Sequence, residues 1–131
     1  MAEDPLACPI PRWEMLKGQL KNVGPAEFNQ LLQKGEHKLL DVRTAKEFAA
    51  FHLPQAENLD YLGPDFLEQM EALQTDEIHL VYCRSGRRSV RACTLMKNAG
   101  LTNLIHLDGG LNAWQAWQEK QEKQAAQSSI A

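Results

Sequence analysis

Short apolar runs alternate with helix-patterned segments along most of this chain, and that alternation restricts the fold more than any other feature. Residues 38–42, 78–83 and 104–107 are nearly continuous in apolar side chains, and 56–60 is a weaker fourth run. Between them the periodicity is helical. Pro25 suits a first helical turn, Phe28, Leu31 and Leu32 recur at helical spacing, and Gly35 ends the pattern, which predicts a helix over 25–33. Thr44 and Glu47 have the spacing of a capping box, for a helix running to about Ala50. Helices are also expected over 64–73, with Phe66, Leu67 and Met70, and over 89–98, closed by Gly100. Gly109-Gly110 precedes a last one carrying Leu111, Trp114 and Trp117. Short apolar strands separated by helices belong in a mainly parallel α/β sheet covered on both faces. Ligands of such sheets bind beyond the carboxyl ends of the strands. Asp41-Val42-Arg43 and Cys83 both fall at such ends and are expected to be neighbours in space.

The length of 131 residues suits one domain with its own core, and 44% apolar with 24% charged residues is ordinary for a globular protein. A net charge of −3 gives no reason to expect a nucleic-acid partner. Three cysteines, Cys8, Cys83 and Cys93, are an odd number without zinc spacing, which points to a reducing compartment rather than a disulfide framework. No run approaches the roughly 18 apolar residues of a membrane helix, and no secretory h-region is visible, so a cytoplasmic location without membrane contact is expected. Residues 1–20 read as an N-terminal extension broken by Pro5, Pro9 and Pro11. Trp13, Leu16 and Leu20 share one helical face there, so this segment is either a short helix on the domain or a partly disordered arm. Residues 21–118 form the domain. Residues 119–131 are a polar tail, either an extension of the last helix or disordered.

The segment that carries chemistry is Cys83-Arg84-Ser85-Gly86-Arg87-Arg88-Ser89. A cysteine ends a strand, and a helix follows within a few residues. The amino terminus of a helix offers unpaired N–H groups and a partial positive charge, which favour a thiolate and hold an anion. Backbone N–H groups of the loop can form an anion nest, Gly86 permits the required turn, and Ser89 can cap the helix. Arg84, Arg87 and Arg88 offer donors to substrate oxygens, although not all three can face inward, so at least one is structural or solvated. The bland alternative, a small hydrophobe ending a strand, does not account for the surrounding cations.

Loop length separates two chemistries. Cysteine phosphatases place five residues between cysteine and arginine. Here four residues separate Cys83 from Arg88, and Ser89 stands at the phosphatase arginine position. The whole loop resembles the active-site loop of rhodanese-type sulfurtransferases. So do Asp41-Val42-Arg43 with Glu47 and Phe48, the run His52-Leu53-Pro54-Gln55-Ala56, and Gly109-Gly110 with Trp114. These elements occur in the family's order from about Val23 to Trp117. Gln55 departs from the family's usual glycine, and residues 1–20, with Cys8, lie outside the match.

The resemblance implies a rhodanese-like three-layer domain around a central, mainly parallel five-stranded sheet. It also implies an enzyme that moves sulfane sulfur from thiosulfate or a similar small donor to cyanide, a thiol or a protein acceptor, through a persulfide on Cys83. No cofactor or metal is implied. Thioredoxin or another thiol protein is a candidate partner. The alternatives are a persulfide-carrying or regulatory module acting on a protein partner and, less favoured, a cysteine-dependent phosphatase or arsenate reductase. Asp41 and Arg43 are expected to support the site rather than act as acid and base, with Asp41 orienting the loop or an arginine and Arg43 paired with Glu47. His52 reads as framework, and His37, His79 and His106 have no partner pattern. Trp114 and Trp117 read as core, and Cys93 as buried.

Overall fold

A computed structural model describes residues 12–130. The expectations for Cys8 and the prolines of the first eleven residues lie outside them. The elements are α1 (Arg12–Lys17), β1 (Lys21–Val23), α2 (Pro25–Lys34), β2 (Lys38–Asp41), α3 (Ala45–Ala50), β3 (Glu57–Asn58), α4 (Phe66–Glu71), β4 (His79–Tyr82), α5 (Arg87–Asn98), β5 (Leu104–Leu107) and α6 (Gly110–Ile130). The five strands form one sheet in the order β1-β5-β4-β2-β3, and every pairing is parallel.

Period-two alternation divides the core between the two faces. Leu80 and Tyr82 of β4 point into a cluster with Phe28 of α2 and Leu111 and Trp114 of α6. Val81 and the following Cys83 point into the other cluster, with Phe66 and Met70 of α4 and Ala92, Cys93 and Met96 of α5. β2 splits its leucines in the same way, Leu39 to the first cluster and Leu40 to the second. In β5, Leu104 belongs to the α4/α5 face while Ile105 and Leu107 face α2 and α6. The alternation therefore turns His106 toward α5. The result is the expected three-layer α/β arrangement, with β4 at the centre of the sheet.

Several boundaries differ from the sequence expectations. The strand Lys21–Val23 is not predicted by the apolar pattern, because only Val23 of its three residues is buried. The weak strand over 56–60 contracts to Glu57–Asn58, although Leu59 N–H still donates to the Asp41 carbonyl at 2.8 Å. α4 spans Phe66–Glu71 rather than 64–73. α1 stops at Lys17, short of Leu20, which packs instead beside the α4/α5 cluster. α6 runs on to Ile130, and its residues 118–126 are solvent-exposed. The termini that matter for the site are well defined. Thr44 and Glu47 form the expected reciprocal capping box on α3, and Gly35 closes α2 in the left-handed conformation at φ 75°.

Candidate active site

α5 begins at Arg87, two residues before the expected start at Ser89, and Gly86 is its N-cap at φ 105°. Ser89 is therefore not the cap; it lies inside the first turn. The reason is local: Gly86 alone in the loop adopts this φ without steric cost, and its carbonyl accepts the first helical bond from Val90 N–H at 3.0 Å. This geometry wraps the turn around the cysteine. The Cys83 sulfur accepts from Gly86 N–H at 3.0 Å and from Ser89 N–H at 3.4 Å, and it lies 3.2 Å from Ser89 Oγ. Cys83 and Ser89 have no exposed surface.

Behind the loop, α6 approaches closely. Leu111 N–H donates to the Cys83 carbonyl at 2.9 Å and Asn112 N–H to the Arg84 carbonyl at 3.0 Å. A Cβ on Gly110 would lie 2.4 Å from the Cys83 carbonyl oxygen, so only glycine permits this contact. The first N–H groups of α6 thus tie down the carbonyl side of the same loop whose N–H side faces the sulfur.

The three loop arginines take three different roles. Arg84 is exposed and lines a cleft of about 230 Å³ with Arg43, Glu47, Ala50, Phe51, Leu111, Asn112 and Gln115. Arg87 is exposed and lies over the ring of Trp13, 5.1 Å from its centroid, which ties α1 to the loop. Arg88 makes a two-pronged pair with Glu47, at 2.6 and 3.0 Å. The hydrogen bond to Arg88, with help from Thr44, holds the Glu47 carboxyl down at about 2 despite partial burial. Ser85 is exposed at the loop tip.

Arg43 does not pair with Glu47. Its guanidinium grips Asp41 instead, with Nε 3.0 and 3.1 Å from the two carboxylate oxygens and Nη2 2.7 Å from Oδ2. Nη2 also donates to the Phe51 carbonyl, and Asn58 Nδ2 bonds the carbonyls of Asp41 and Arg43, both at 3.0 Å. Both members of the pair are buried, so losing either one would strand a charge in the core. Asp41 holds the Arg43 guanidinium, and the pair sits at the end of β2.

Sequence reasoning missed two residues. His106 has partners after all: its Nε2 lies 2.6 Å from Ser89 Oγ and its Nδ1 2.8 Å from Asn22 Oδ1. Burial lowers its pKa to about 4. Alternation along β5 could have turned His106 toward α5, but nothing local in the sequence connects it with Asn22. Among the described residues, no group of three His, Cys, Asp or Glu side chains is placed to hold a metal ion, and no helix is long and apolar enough to cross a membrane.

The same fold recurs in known proteins. The family model of the rhodanese-like domain matches residues 24–116. The chain belongs to the rhodanese-like family. Thiosulfate sulfurtransferase 16 (chloroplastic) of Arabidopsis thaliana is 40% identical over 89 residues, covering 60% of this chain and 73% of that protein. Thiosulfate sulfurtransferase 18 of the same plant is 36% identical over 109 residues, covering 73% of this chain and 79% of that protein. The mitochondrial protein HIGH ARSENIC CONTENT 1, also from Arabidopsis thaliana, is 38% identical over 88 residues; the match covers 60% of this chain and about half (52%) of that relative. Among solved structures, a human single-domain sulfurtransferase superposes with a TM-score of 0.61 at 26% identity, covering 72% of this chain and 95% of that one. A rhodanese-related protein from Thermoplasma volcanium superposes with a TM-score of 0.64 at 23% identity, covering 73% and 91%, and it shares the fold. This rhodanese-like chain is thus similar to enzymes named as sulfurtransferases.

Proposed function

We propose that this rhodanese-like domain transfers sulfane sulfur through a persulfide on Cys83. The observation that carries this reading is the pair of main-chain N–H groups, from Gly86 and Ser89, that converge on the Cys83 sulfur at the amino terminus of α5. They favour negative charge on that atom, and the helix end adds to the effect. The Cys83 thiolate attacks the outer sulfur of thiosulfate, the S–S bond of the donor breaks, and sulfite leaves with the bonding pair. Cyanide or a thiolate then attacks the outer sulfur of the persulfide, the Cys83–sulfur bond breaks, and the thiolate returns. Covalent catalysis thus divides one transfer into two displacements. Arg84, exposed on the loop, is the cation of the loop placed to meet an anionic donor. Ser85, Gly86, Arg87, Arg88 and Ser89 shape the loop, and Asp41 with Arg43 holds the adjacent strand end.

A phosphatase reading is disfavoured, because Arg88, the nearest counterpart of a phosphate-binding arginine, is committed to Glu47. The proposed unit is 21–118, with the flanking segments as additions to it, and the cytoplasm, a reducing compartment, suits a cysteine that must stay free. A thiol protein such as thioredoxin is a fitting acceptor. Incubation with thiosulfate adds the mass of one sulfur atom to the wild type, and Cys83→Ser gains none. If Cys83→Ser gains the same mass, the reading fails. Cyanide, glutathione and thioredoxin as acceptors distinguish a stand-alone enzyme from a carrier that discharges only to a protein. Arsenate and a phosphate monoester complete the panel.

A further inference from the structure

The Ser89 hydroxyl has one proton and three acceptors within reach. These are Cys83 Sγ at 3.2 Å, the Gly86 carbonyl at 3.0 Å and His106 Nε2 at 2.6 Å. The residues behind His106 decide where the proton goes. Asn22 Nδ2 donates to the carbonyls of Lys17 and Leu20, at 2.9 and 3.1 Å. Two carbonyls can be met only by the amide nitrogen, so the orientation of the Asn22 side chain is fixed and its Oδ1 faces His106. An oxygen acceptor 2.8 Å from Nδ1 requires a proton on Nδ1. A neutral imidazole then has only a lone pair at Nε2, and Ser89 O–H must donate to it. His106 is 1% exposed. The charged groups nearest to it are Lys17 of α1 and Asp108 beyond β5, which pair with each other at 2.6 Å, and Cys83 lies beyond Ser89. Burial holds the ring neutral across the ordinary pH range.

We infer that Asn22 and His106 are positioning residues that draw the Ser89 hydroxyl proton away from the Cys83 sulfur, leaving the thiolate to main-chain donors alone. The inference rests on Cys83 being the nucleophile. Its chemical sense lies in where the charge goes. In the thiolate the charge sits on Sγ; in the persulfide it sits one atom further out. A hydroxyl proton aimed at Sγ would stabilise the reactant and not the product, and would slow the displacement. It would also make the thiolate a weaker nucleophile, because nucleophilicity falls with basicity. Ser89 presents a lone pair to the sulfur instead. It can accept the S–H proton of the resting thiol, and it gives nothing to the thiolate.

Histidine-selective 15N NMR of the wild-type protein at pH 7 tests the assignment without any substitution. The expected result is a neutral His106 protonated at Nδ1; an Nε2–H tautomer or an imidazolium overturns it. Asn22→Ala unlocks the tautomer, and His106→Leu removes the acceptor. Either change lets Ser89 O–H reach the sulfur. A hydrogen bond to a charged group then raises the thiolate fraction about tenfold at pH values below the titration midpoint. Iodoacetamide alkylation of Cys83 accordingly speeds up roughly threefold at low pH and slows roughly threefold on the high-pH plateau, because the more stabilised thiolate is less nucleophilic. In a Ser89→Ala background neither substitution changes the profile further. A lower melting temperature with an unmoved alkylation profile would mean a purely structural role and would overturn the inference. A shift of the profile to higher pH would also overturn it, since it would make His106 a proton acceptor for the thiol. Persulfide formation in the wild type, read by mass, is independent of these outcomes, so failure of the sulfur-transfer reading would show there and not in the tautomer.

Discussion

Replacing Gly110 by alanine measures how tightly the last helix is pressed against the cysteine loop. The new Cβ would lie 2.4 Å from the Cys83 carbonyl oxygen, 2.6 Å from that of Arg84 and 2.7 Å from the Arg84 carbonyl carbon. All three are backbone atoms, so no side chain can swing aside. The position also has φ 58°, which costs an L-residue roughly 1 kcal/mol or more. Relief requires the start of α6 to retreat, and that stretches the two bonds from Leu111 and Asn112 to the loop carbonyls. Each contributes about 1 kcal/mol net, so the total loss is about 3 kcal/mol. For a domain of this size, that lowers Tm by roughly 10 °C. Gly35→Ala is the matched control, since it has φ 75° but nothing within 4 Å of the added carbon. It should lose only the conformational cost of about 1 kcal/mol and keep wild-type kinetics. Thermal melts combined with thiosulfate-driven sulfur uptake at Cys83 read both effects. Gly110→Ala should take up sulfur roughly tenfold more slowly, because the strand end that carries Cys83 is displaced. Equal Tm losses in the two variants, with unchanged sulfur uptake, would refute the close-approach reasoning.

Glu47→Gln removes the two-pronged grip on Arg88 and should lower stability by about 1 kcal/mol, a small figure because the pair is partly exposed. The folded-state value of the carboxyl is depressed from 4.5 to about 2, so its contribution is fully present above pH 4.5 and is lost as pH falls through 2. The gap in Tm between wild type and variant should therefore narrow as pH falls from 4.5 to 2, and a gap undiminished over that window would exclude the ion pair as its source. Cys93 is fully buried in the α4/α5 cluster, and burial raises its thiol pKa strongly. Peptide mapping after native-state alkylation at pH 8 should find label on Cys83 and none on Cys93; equal labelling of the two would mean that the core opens as readily as the loop.

The strands that read clearly from sequence were those with several consecutive buried apolar residues, such as β4 with four buried positions out of four. β1 escaped because three residues with one buried side chain carry no periodicity, and its role comes from pairing with a strand at the far end of the chain. The cysteine loop was legible because its chemistry is local: a strand end, a glycine and a helix start within seven residues. The partners of its arginines were not. Arg43 had Glu47 four residues away as a plausible partner, but it pairs with the buried Asp41, and Glu47 takes Arg88 from 41 residues further along, a choice that only packing decides. The start of α5 was misplaced for a related reason. Arg87 and Arg88 have no apolar face to extend the helical pattern, and a left-handed glycine, rather than the serine, made the cap.

The edge strand β1 also bears on how the protein is assembled. Asn22 and His106 are 84 residues apart, yet one hydrogen bond joins them. Synthesis runs from the amino terminus, so β1 emerges ahead of the other four strands and has no neighbour in the sheet until β5 has been made. Closing so long a loop is entropically slow, while β2, β3 and β4 can associate earlier. A nascent chain that has passed Cys83 but not Leu104 therefore carries Cys83 and Asn22 without His106, the acceptor inferred for the Ser89 proton. The cysteine is translated well before its surroundings are complete, and its final reactivity is set only when the first strand docks against the last.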